Sequence, residues 1–585
     1  MHRLSPLRPS IILMPLGLLY AVIFGRMVQL HSADRSTILE DRFESRTPLR
    51  AARAQILDAS GIVLAEDRPV WYLRLDEPAN DRRFFGPSAT LERNAKEIAL
   101  LASLTHIPAL RLQETLLNPK KTYARFAVNL NSTEVDRLRL ALRSLSGTGL
   151  RLERSWERVY PQGRALSHLI GFLKTEEGSR SGVMGLERSL ESQLLGSDGE
   201  RGSLRVTGKY GANPAKTFVS PNEASPIVTT LDARLASMMQ EELRQLQEVH
   251  NPDWIACVVV EVNTGNLIAV GGLPDFDPNH PGDGLKRDAD GNLLGHALPA
   301  LWAIEPGSTC KPFVVGRALD TGAVKKTDTF SNYGGSWNIR KPPIRNARGV
   351  PNERMTPREI LVWSSNICAG QVGLKLGKEG LQSLFADFGF WDELGWIGPE
   401  PFLGFQPKGN QWDGSLGRVW TIPSVSMGHQ LSLTPLRLAC AFSSLINGGW
   451  RIDPHLIQQK RNQPKVRILS EDTSAFLRDA LAGMVEAEHR HWLPKFEGFR
   501  WGGKSGTVQK THEEGYTSLF SAFGPLENPE VLVLVVAENP KGKEVYGSKV
   551  SAPAAARILY HAIQLRDLKN GPLELDSSPV RVEKP

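Results

Sequence analysis

The stretch Glu305-Pro-Gly-Ser-Thr-Cys-Lys-Pro-Phe313 places Ser308 three residues before Lys311. The Pro-Gly pair before the serine and the proline after the lysine indicate that a helix begins at Ser308. Residues three apart on a helix share a face, so the Lys311 amine can reach the Ser308 hydroxyl. A serine beside a basic side chain is a candidate nucleophile.

Two further short motifs follow in order, Trp363-Ser-Ser-Asn366 and Gly502-Gly-Lys-Ser-Gly-Thr507. Each of the three motifs alone has an ordinary structural interpretation, as a helix cap, a polar turn or a glycine-containing strand. Together, with Pro-Gly before the first and Gly-Gly before the third, they form an ordered S-x-x-K, S-x-N and K-[ST]-G set. This combination is specific and indicates a serine acyl-transfer site.

The residue types in this set suit acyl transfer. Ser308 is the predicted nucleophile, and Lys311 is the predicted general base, because burial and the nearby charge of Lys504 would favour its neutral form. Ser364 can relay a proton to the leaving amine. Asn366 can hydrogen-bond the substrate amide and hold Lys311. Lys504 can also attract a terminal carboxylate of the substrate.

The third motif is predicted to bind substrate along a strand. Ser505, Gly506 and Thr507 are the expected substrate-binding residues, and Gly503 and Gly506 would let the substrate backbone approach. The backbone N–H groups of Ser308 and Thr507 would form the oxyanion hole.

The flanking sequence predicts the fold that carries these motifs. The β-rich runs 256–262 and 266–270, joined by Asn263-Thr-Gly265, predict a hairpin. Residues 518–523 and 531–536 are also β-rich, and mostly helical patterns lie between. Strands from both ends of one region predict an α+β fold of the two-layer α/β type, with one antiparallel sheet covered by helices.

The sequence before this region has a different organisation. Arg53–Ala65 predicts two strands around a turn at Asp58–Gly61, and residues 91–118 and 132–145 predict amphipathic helices. A new unit begins near residue 225, where Asp232 can cap a helix from Ala233 to about Val249. We therefore expect a mixed α/β domain over residues 31–225 and a second domain over 226–565, followed by a disordered tail over 566–585.

A hydrophobic segment near the N-terminus predicts a membrane anchor over residues 10–30. Its uninterrupted apolar part is somewhat shorter than the ~20 residues that span a bilayer, but Arg26 can snorkel to the interface. Residues 1–9 carry positive charge and would form a short cytoplasmic tail. A cleaved signal peptide is the alternative, although no clear small-residue cleavage site follows. The remaining chain would lie outside the cytoplasm.

Composition excludes several classes of function. The net charge of +7 suits an anionic membrane surface or an anionic polymer, but no basic run with interleaved aromatics indicates nucleic-acid binding. No motif suggests a metal ion or an organic cofactor. The four cysteines are far apart in sequence and are predicted to be buried free thiols, although the sequence alone leaves a disulfide open.

The chain from about residue 10 to 564 resembles the class B penicillin-binding proteins, most closely the division-type (FtsI-like) transpeptidases. Arg53–Ala65, Arg158-Val-Tyr-Pro and Gly185-Leu-Glu187 look like signatures of the non-catalytic domain, with Ala54 and Ala59 departing from the pattern. Ser505 replaces the commoner threonine. His429 stands in a loop that is usually richer in glycine, where a structural role is the better interpretation.

The resemblance implies an anchor, a pedestal domain of the dimerisation type and a transpeptidase domain with a β-lactamase-like five-stranded sheet. It implies that Ser308 attacks the penultimate D-Ala carbonyl of a peptidoglycan stem peptide and that β-lactams acylate the same serine. It also implies septal cell-wall synthesis in the inner membrane, with the catalytic domain in the periplasm. An FtsW-type glycosyltransferase and other division proteins would be partners.

Other functions use the same motifs. A class B protein of elongation or sporulation is one alternative. A D,D-carboxypeptidase would use water as the acceptor, and a β-lactamase would need a water-activating base for which there is no motif. A non-catalytic cell-wall scaffold or β-lactam sensor is the alternative from another class, but the intact motif set disfavours it.

Overall fold

The structure is a computed structural model. It describes residues 20–28, 45–76, 91–117, 123–144, 150–176, 179–203, 215–282, 286–287, 293–294, 298–339, 341–347, 349–351, 353–394, 404–412, 420–458, 465–487, 491–510 and 514–570.

The strands, in chain order, are β1 (Ser45–Leu49), β2 (Ile56–Leu57), β3 (Val63–Asp76), β4 (Tyr123–Val128), β5 (Leu150–Val159), β6 (Leu173–Glu176), β7 (Ser179–Gly182), β8 (Gly199–Ser203), β9 (Ala215–Val219), β10 (Ile227–Val228), β11 (Trp254–Glu261), β12 (Leu267–Leu273), β13 (Lys286–Arg287), β14 (Leu293–Leu294), β15 (Ser336–Trp337), β16 (Ile344–Arg345), β17 (Gly404–Phe405), β18 (Ser432–Leu433), β19 (Gly502–Gln509), β20 (Tyr516–Gly524) and β21 (Val531–Glu538).

The α-helices are α1 (Leu91–Thr105), α2 (Ala109–Leu116), α3 (Ser132–Ser144), α4 (Ser167–Ile170), α5 (Gly185–Ser189), α6 (Glu191–Leu194), α7 (Ala233–His250), α8 (Lys311–Asp320), α9 (Pro357–Trp363), α10 (Asn366–Asp387), α11 (Thr421–Ser426), α12 (Pro435–Ile446), α13 (Glu471–Glu486), α14 (Gly547–Val550) and α15 (Ala552–Asn570).

The chain divides into two compact units. The first contains Met1–Ala54, Pro69–Trp156 and Leu195–Ser225, and the second contains Gln55–Arg68, Glu157–Leu194 and Pro226–Pro585. Two segments of the predicted pedestal therefore belong to the second unit. The three catalytic motifs all lie within the last segment of that unit.

The first unit has its own hydrophobic core. Its members alternate along β3 and β4 or recur at helical spacing on the helices, so each element turns one apolar face inward. The buried residues of this cluster are Leu73, Leu75, Ile98, Leu101, Ile107, Leu112, Leu116, Phe126, Val128, Leu138 and Leu150. The strands β3 and β4 are antiparallel, from Trp71 opposite Val128 to Asp76 opposite Tyr123.

The helix predicted over 91–118 is wrong in one respect, because two helices occupy that range. The first, α1, ends at Thr105, and His106 follows with a positive φ of 58°. Pro108 stands immediately before α2, and proline disfavours helical conformation in the residue that precedes it. The helix predicted over 132–145 is confirmed as α3.

The two strands around a turn that were predicted over Arg53–Ala65 are confirmed, since β2 pairs antiparallel with β3. One carboxylate oxygen of Asp58 accepts hydrogen bonds from the backbone N–H of Ser60 at 2.7 Å and of Ile62 at 2.8 Å, which fixes the turn. Asp232 caps α7 as predicted, since its side chain accepts from the backbone of Arg234 and Leu235.

Two of the family-like segments of the sequence meet in a buried ion pair of this second unit. Arg158 Nε donates to Glu187 Oε1 at 2.7 Å, and the side chains are 3% and 0% exposed. Asp67 lies 3.5 Å from the Arg158 guanidinium and also accepts from Arg180 at 2.8 Å. Because an isolated buried charge is costly, these side chains hold one another in place.

The largest sheet of the second unit has the order β12-β11-β21-β20-β19, and every neighbouring pair is antiparallel. The predicted antiparallel sheet of five strands is thus present. The central strand β21 is buried at every residue, although its side chains alternate between the faces. Helices therefore cover both faces, and the predicted two-layer arrangement is wrong. Strands buried on both sides carry continuous apolar sequence, as β21 does.

The C-terminal helix extends beyond the predicted domain end at residue 565. Helix α15 continues to Asn570, where a disordered tail was expected from residue 566. Arg566 explains the extension, since its guanidinium donates to Glu261 at 2.7 Å and to Glu530 at 3.1 Å. The remainder of the predicted tail, residues 571–585, lies outside the described residues.

The predicted anchor over residues 10–30 is described only in part. Residues 20–28 are helical and exposed. Within the described part of the chain, no helix has the length and apolar character needed to cross a bilayer. The predicted tail 1–9 and the remainder of the anchor lie outside the described residues.

Candidate active site

The serine of the first motif lies in a tight turn that leads into a helix. Residues Gly307–Cys310 form a single 3-10 turn, and α8 begins at Lys311. The turn is supported from below by a second loop, because Gly307 N–H donates to Gly428 carbonyl oxygen at 3.0 Å. Gly428 has a φ of +82°, and a Cβ atom there would lie 2.0 Å from the Gly307 oxygen. Only glycine permits this close approach.

Lys311 is fully buried and directed at Ser308. Its Nζ atom lies 2.9 Å from Ser308 Oγ, 2.7 Å from Asn366 Oδ1 and 2.6 Å from the Ser364 carbonyl oxygen. The Ser364 hydroxyl oxygen is 3.2 Å away. Burial lowers the pKa of Lys311 to about 7, although the thiols of Cys368 and Cys310 act in the opposite direction. The side chain can therefore supply a neutral amine near neutral pH.

Ser364 stands between two lysines in an uncommon backbone conformation. It ends α9 in the left-handed region, with φ 60° and ψ 40°. Its Oγ atom accepts a hydrogen bond from Lys504 Nζ at 2.9 Å and lies near Lys311 Nζ. Strained residues of this kind persist where the surrounding structure fixes them, and they cluster at functional sites.

Asn366 is the first residue of α10, and both ends of its amide are engaged. Oδ1 accepts from Lys311, while Nδ2 donates to the Arg345 carbonyl oxygen at 2.8 Å. Ser365 precedes it as the N-cap of α10, and its Oγ accepts from Cys368 N–H at 3.1 Å. The S-x-N motif is thus the junction between two helices.

The third motif forms β19, which is the end strand of the five-stranded sheet. Lys504 is fully buried and also donates to the Ser505 carbonyl oxygen at 3.1 Å. Ser505 and Thr507 are half-buried, and Thr507 Oγ1 accepts from Gly547 N–H at 2.9 Å. An end strand has backbone groups free to pair with an extended peptide.

Gly506 has a structural reason for being glycine that the sequence did not reveal. We expected it to admit the substrate backbone, but the chain itself takes that space. A Cβ atom at Gly506 would lie 2.7 Å from a methyl carbon of Leu519 and 3.0 Å from the Pro306 carbonyl oxygen. The absence of a side chain therefore lets the turn that carries Ser308 lie directly against β19.

The two N–H groups predicted to form an oxyanion hole belong to adjoining segments. Thr507 N lies 3.9 Å from the position that a Cβ atom would take at Gly307, the residue before Ser308. The five residues with predicted catalytic roles are brought together in one network of hydrogen bonds, and the other residues of the third motif border it. These are Ser308, Lys311, Ser364, Asn366 and Lys504.

The imidazole ring of His429 contacts the carboxylate of Glu305, which gives His429 a structural role. Its Nδ1 atom lies 3.0 Å from Glu305 Oε2, and the other Glu305 oxygen accepts from Gln430 N–H at 2.9 Å. Glu305 thereby ties the loop of Gly428 to the turn that carries Ser308. The structural interpretation of His429 agrees with this geometry.

Sequence reasoning missed two polar residues that support the site, Asn332 and Asn346. The side-chain oxygen Oδ1 of Asn346 accepts from the backbone N–H of Asn366 at 2.8 Å, and Asn346 Nδ2 donates to Asn332 Oδ1 at 3.0 Å. Neither belongs to a recognised motif, and their separation from Asn366 follows no helical or strand period. Nothing in the sequence alone would have singled them out.

The four cysteines are buried free thiols, as predicted. They are Cys257, Cys310, Cys368 and Cys440. Burial raises the pKa of Cys310 and of Cys440 to about 12, so both stay protonated near neutral pH. Among the described residues, no group of three or more His, Cys, Asp or Glu side chains is arranged to hold a metal ion.

Comparisons with known proteins agree with this architecture. Residues 255–560 match the penicillin binding protein transpeptidase domain, and residues 48–211 match the penicillin-binding protein dimerisation domain. The first match covers more than half of the chain. The chain therefore belongs to the penicillin-binding protein family, and its two domains in this order make it a class B transpeptidase of that family.

Individual relatives align along nearly the whole chain. The "Probable peptidoglycan D,D-transpeptidase PenA" of Neisseria gonorrhoeae is 27% identical over 94% of this chain and 91% of that protein. "Stage V sporulation protein D" of Bacillus subtilis is 26% identical, over 93% and 84%. The "Probable peptidoglycan D,D-transpeptidase FtsI" of Caulobacter vibrioides is 27% identical, over 87% and 81%.

A solved structure shares the fold. Penicillin Binding Protein 2X from Streptococcus thermophilus superimposes with a TM-score of 0.71 at 20% identity, over 90% of this chain and 81% of that chain. At this identity the similarity concerns the fold alone.

Proposed function

We propose that this class B transpeptidase cross-links peptidoglycan stem peptides through an acyl-enzyme on Ser308. The observation that carries the proposal is the buried Lys311 amine, 2.9 Å from Ser308 Oγ and surrounded by Ser364 and Asn366. A buried amine whose pKa is about 7 is a competent base at neutral pH, and a serine hydroxyl needs such a base.

Acylation begins when neutral Lys311 takes the proton of Ser308 Oγ. The oxygen attacks the carbonyl carbon of the penultimate D-Ala, and the N–H groups of Ser308 and Thr507 stabilise the negative oxygen that forms. Ser364, which contacts both lysines, passes a proton to the nitrogen of the leaving D-Ala as the C–N bond breaks. The amine of a second stem peptide then attacks the ester, its proton passes back along the same groups, and Ser308 is regenerated.

The third motif positions the donor peptide. An extended stem peptide pairs with the outer edge of β19, beside Ser505, Gly506 and Thr507. The Lys504 ammonium group attracts the terminal carboxylate of the peptide. The ring amide of a β-lactam has the same relation to its own carboxylate. β-Lactams would therefore acylate Ser308 and remain attached.

Septal cell-wall synthesis is the cellular role that we infer. It is supported by the similarity to relatives named FtsI and PenA, and an FtsW-type glycosyltransferase and other division proteins are the partners expected with that role. The similarity to a sporulation protein makes sporulation the second candidate. Depletion of the protein from growing cells distinguishes the two roles. Loss of a septal enzyme makes the cells grow as filaments, whereas loss of a sporulation enzyme leaves growth unchanged.

We further propose that residues 10–30 anchor the chain in the inner membrane, with residues 1–9 in the cytoplasm and the catalytic domain in the periplasm. The apolar sequence and the positive N-terminal tail support this topology. Protease added to spheroplasts should digest the catalytic domain, and alkaline carbonate should leave the intact chain in the membrane pellet. Release by carbonate would contradict the anchor.

Intact-mass spectrometry with benzylpenicillin tests the acyl-enzyme. The full-length chain in mild detergent should gain one drug mass, and the Ser308→Ala variant should gain none. Rapid drug hydrolysis without a lasting adduct would indicate a β-lactamase. If the folded protein shows no adduct and no drug hydrolysis, that result would favour a non-catalytic scaffold.

A further inference from the structure

The N-terminus of α10 is held by a side chain from a different segment. The first two backbone N–H groups of the helix, those of Asn366 and Ile367, both donate to Asn346 Oδ1, at 2.8 and 3.1 Å. The next N–H group, that of Cys368, donates to the N-cap residue Ser365. The first N–H groups of a helix have no partner within it, so Asn346 satisfies two groups that the local cap leaves open.

A second asparagine fixes the orientation of this amide. Asn332 is 1% exposed, and its Nδ2 donates to the carbonyl oxygens of Pro351 at 2.8 Å and Glu353 at 3.0 Å. Both of its N–H bonds are used, so its Oδ1 must face Asn346 and Ser365. Asn346 Nδ2 donates to that oxygen at 3.0 Å, and Ser365 Oγ lies 2.7 Å from it.

The end of strand β16, which directly precedes Asn346, also holds the side chain of Asn366. The carbonyl oxygen of Arg345, the neighbour of Asn346, accepts from Asn366 Nδ2 at 2.8 Å. The other end of that amide accepts from Lys311 at 2.7 Å. Residues Arg345 and Asn346 thus fix the backbone and the side chain of a residue that directly contacts the predicted base.

We propose that Asn346, oriented by Asn332, is a positioning residue for acylation. It holds the segment Ser364–Asn366 so that Lys311 keeps its partners around Ser308 Oγ. Asn346 itself acts only through the start of α10 and has no contact with the reacting atoms. This inference rests on the proposed function, because it concerns the rate of the same reaction.

The choice of side chain matters at this position. Alanine would leave the N–H groups of Asn366 and Ile367 without their acceptor and release the start of α10. Aspartate keeps an acceptor for both groups, and its negative charge suits a helix N-terminus. Because aspartate loses the donor to Asn332 and places a carboxylate beside the Asn332 oxygen, it should restore the positioning in large part but not completely.

Stopped-flow acylation by a fluorescent penicillin, with the full-length chain in detergent, tests the proposal. The experiment separates the dissociation constant of the non-covalent complex from the acylation rate constant. In Asn346→Ala we expect the rate constant to fall about 100-fold, as for a small misplacement of catalytic groups. The dissociation constant should change less than about threefold, and Asn346→Asp should restore the rate to within about tenfold of wild type.

Asn447→Ala is the matched control in the same domain. Asn447 also fixes a turn through its amide, because Nδ2 donates to the Trp450 carbonyl oxygen at 2.9 Å and Oδ1 accepts from Trp450 N–H at 2.9 Å. Its loss should lower the melting temperature and leave the acylation rate constant within about twofold of wild type.

Three outcomes would overturn the proposal. The first is an acylation rate constant that falls no further in Asn346→Ala than in Asn447→Ala. The second is a folded Asn346→Asp variant whose acylation rate constant is as low as that of Asn346→Ala. If the alanine variant does not fold, Asn346→Ser replaces it, and a wild-type rate constant in folded Asn346→Ser is the third. A wild-type chain that is not acylated at all would instead refute the proposed function.

Discussion

Ser364 Oγ lies 2.9 Å from Lys504 Nζ, which donates a hydrogen bond to it across a separation of 140 residues in sequence. The same oxygen is 3.2 Å from Lys311 Nζ. A hydroxyl between two amines can receive a proton from one and pass it to a third group. The second and third motifs are therefore coupled through this contact.

The strain at Ser364 provides the first prediction. Both Ser364→Ala and Ser364→Gly remove the hydroxyl, and we expect both to lower the acylation rate constant by about 10²–10⁴-fold. Glycine also relieves the left-handed conformation at φ 60°, so the glycine variant should be more stable than the alanine variant by about 1 kcal/mol. Acylation kinetics and urea unfolding measure the two effects. Equal stability of the variants would contradict the inferred strain.

Lys311 predicts how acylation depends on pH. Its lowered pKa of about 7 means that the neutral, basic form predominates above that pH and is lost below it. The acylation rate constant should therefore level off above pH 7 and decrease about tenfold for each pH unit below it. Burst kinetics with a chromogenic cephalosporin give the profile.

Lys311→Arg serves as the control for this profile. Arginine keeps the positive charge but does not lose its proton in this range, so acylation should be slow and without an inflection near pH 7. A wild-type inflection at about 10, the ordinary pKa of lysine, would contradict the lowered pKa, and an unchanged profile in Lys311→Arg would show that Lys311 is not the base.

Replacement of Lys504 should weaken the binding of ligands that carry a carboxylate more than the binding of ligands that lack one. Removing its ammonium group in Lys504→Ala should weaken the non-covalent binding of benzylpenicillin about 10–100-fold, as for a lost hydrogen bond to a charged group. Benzylpenicillin methyl ester carries no carboxylate, and its binding should change much less. Comparable losses for the acid and the ester would contradict the proposed contact with the carboxylate.

The close packing at Gly428 leads to a prediction about the position of Ser308, although Gly428 has no side chain that could take part in the reaction. A Cβ atom at Gly428 would lie 2.0 Å from the Gly307 carbonyl oxygen, so Gly428→Ala must displace the turn that carries Ser308. We expect a loss of about 2–4 kcal/mol in the free energy of unfolding, and acylation slower than in a glycine-to-alanine control whose added Cβ atom meets no neighbour.

Gly322→Ala is a suitable control for Gly428→Ala. Gly322 also has a positive φ, of 73°, but a Cβ atom there meets no heavy atom within 4 Å. Backbone strain alone should cost about 1–2 kcal/mol at this position and leave acylation unchanged. If the two variants behave alike in both measurements, the close approach to Gly307 has no special role.

The sequence predicted the parts of this molecule that are encoded locally. The spacing of Ser308 and Lys311 predicted two side chains on one face of a helix, and the structure places Ser308 in a 3-10 turn that leads into α8. Asp232 correctly predicted the start of α7. Ser364 and Lys504 could be joined to them only through the motif set, since no period relates residues so far apart. The motif set predicted that these residues lie together in the folded chain, but it did not predict their distances or hydrogen bonds.

The errors and omissions have physical causes. The break between α1 and α2 was overlooked because apolar spacing continues across it, although Pro108 could have indicated it. The end of α15 depends on ion pairs of Arg566 with Glu261 and Glu530, which are remote in sequence. Asn332 and Asn346 were missed for the same reason. Such contacts exist only once the chain has folded.

The position of β21 has a consequence for how the molecule is made. This strand is the last of the five in sequence but lies third in the sheet, between β11 and β20. Ser308 is therefore synthesised long before residues 531–538, the strand that joins β11 and β12 to β20 and β19. A chain that lacks this strand has no complete sheet to hold β19 beside Ser308, so we expect it not to be acylated.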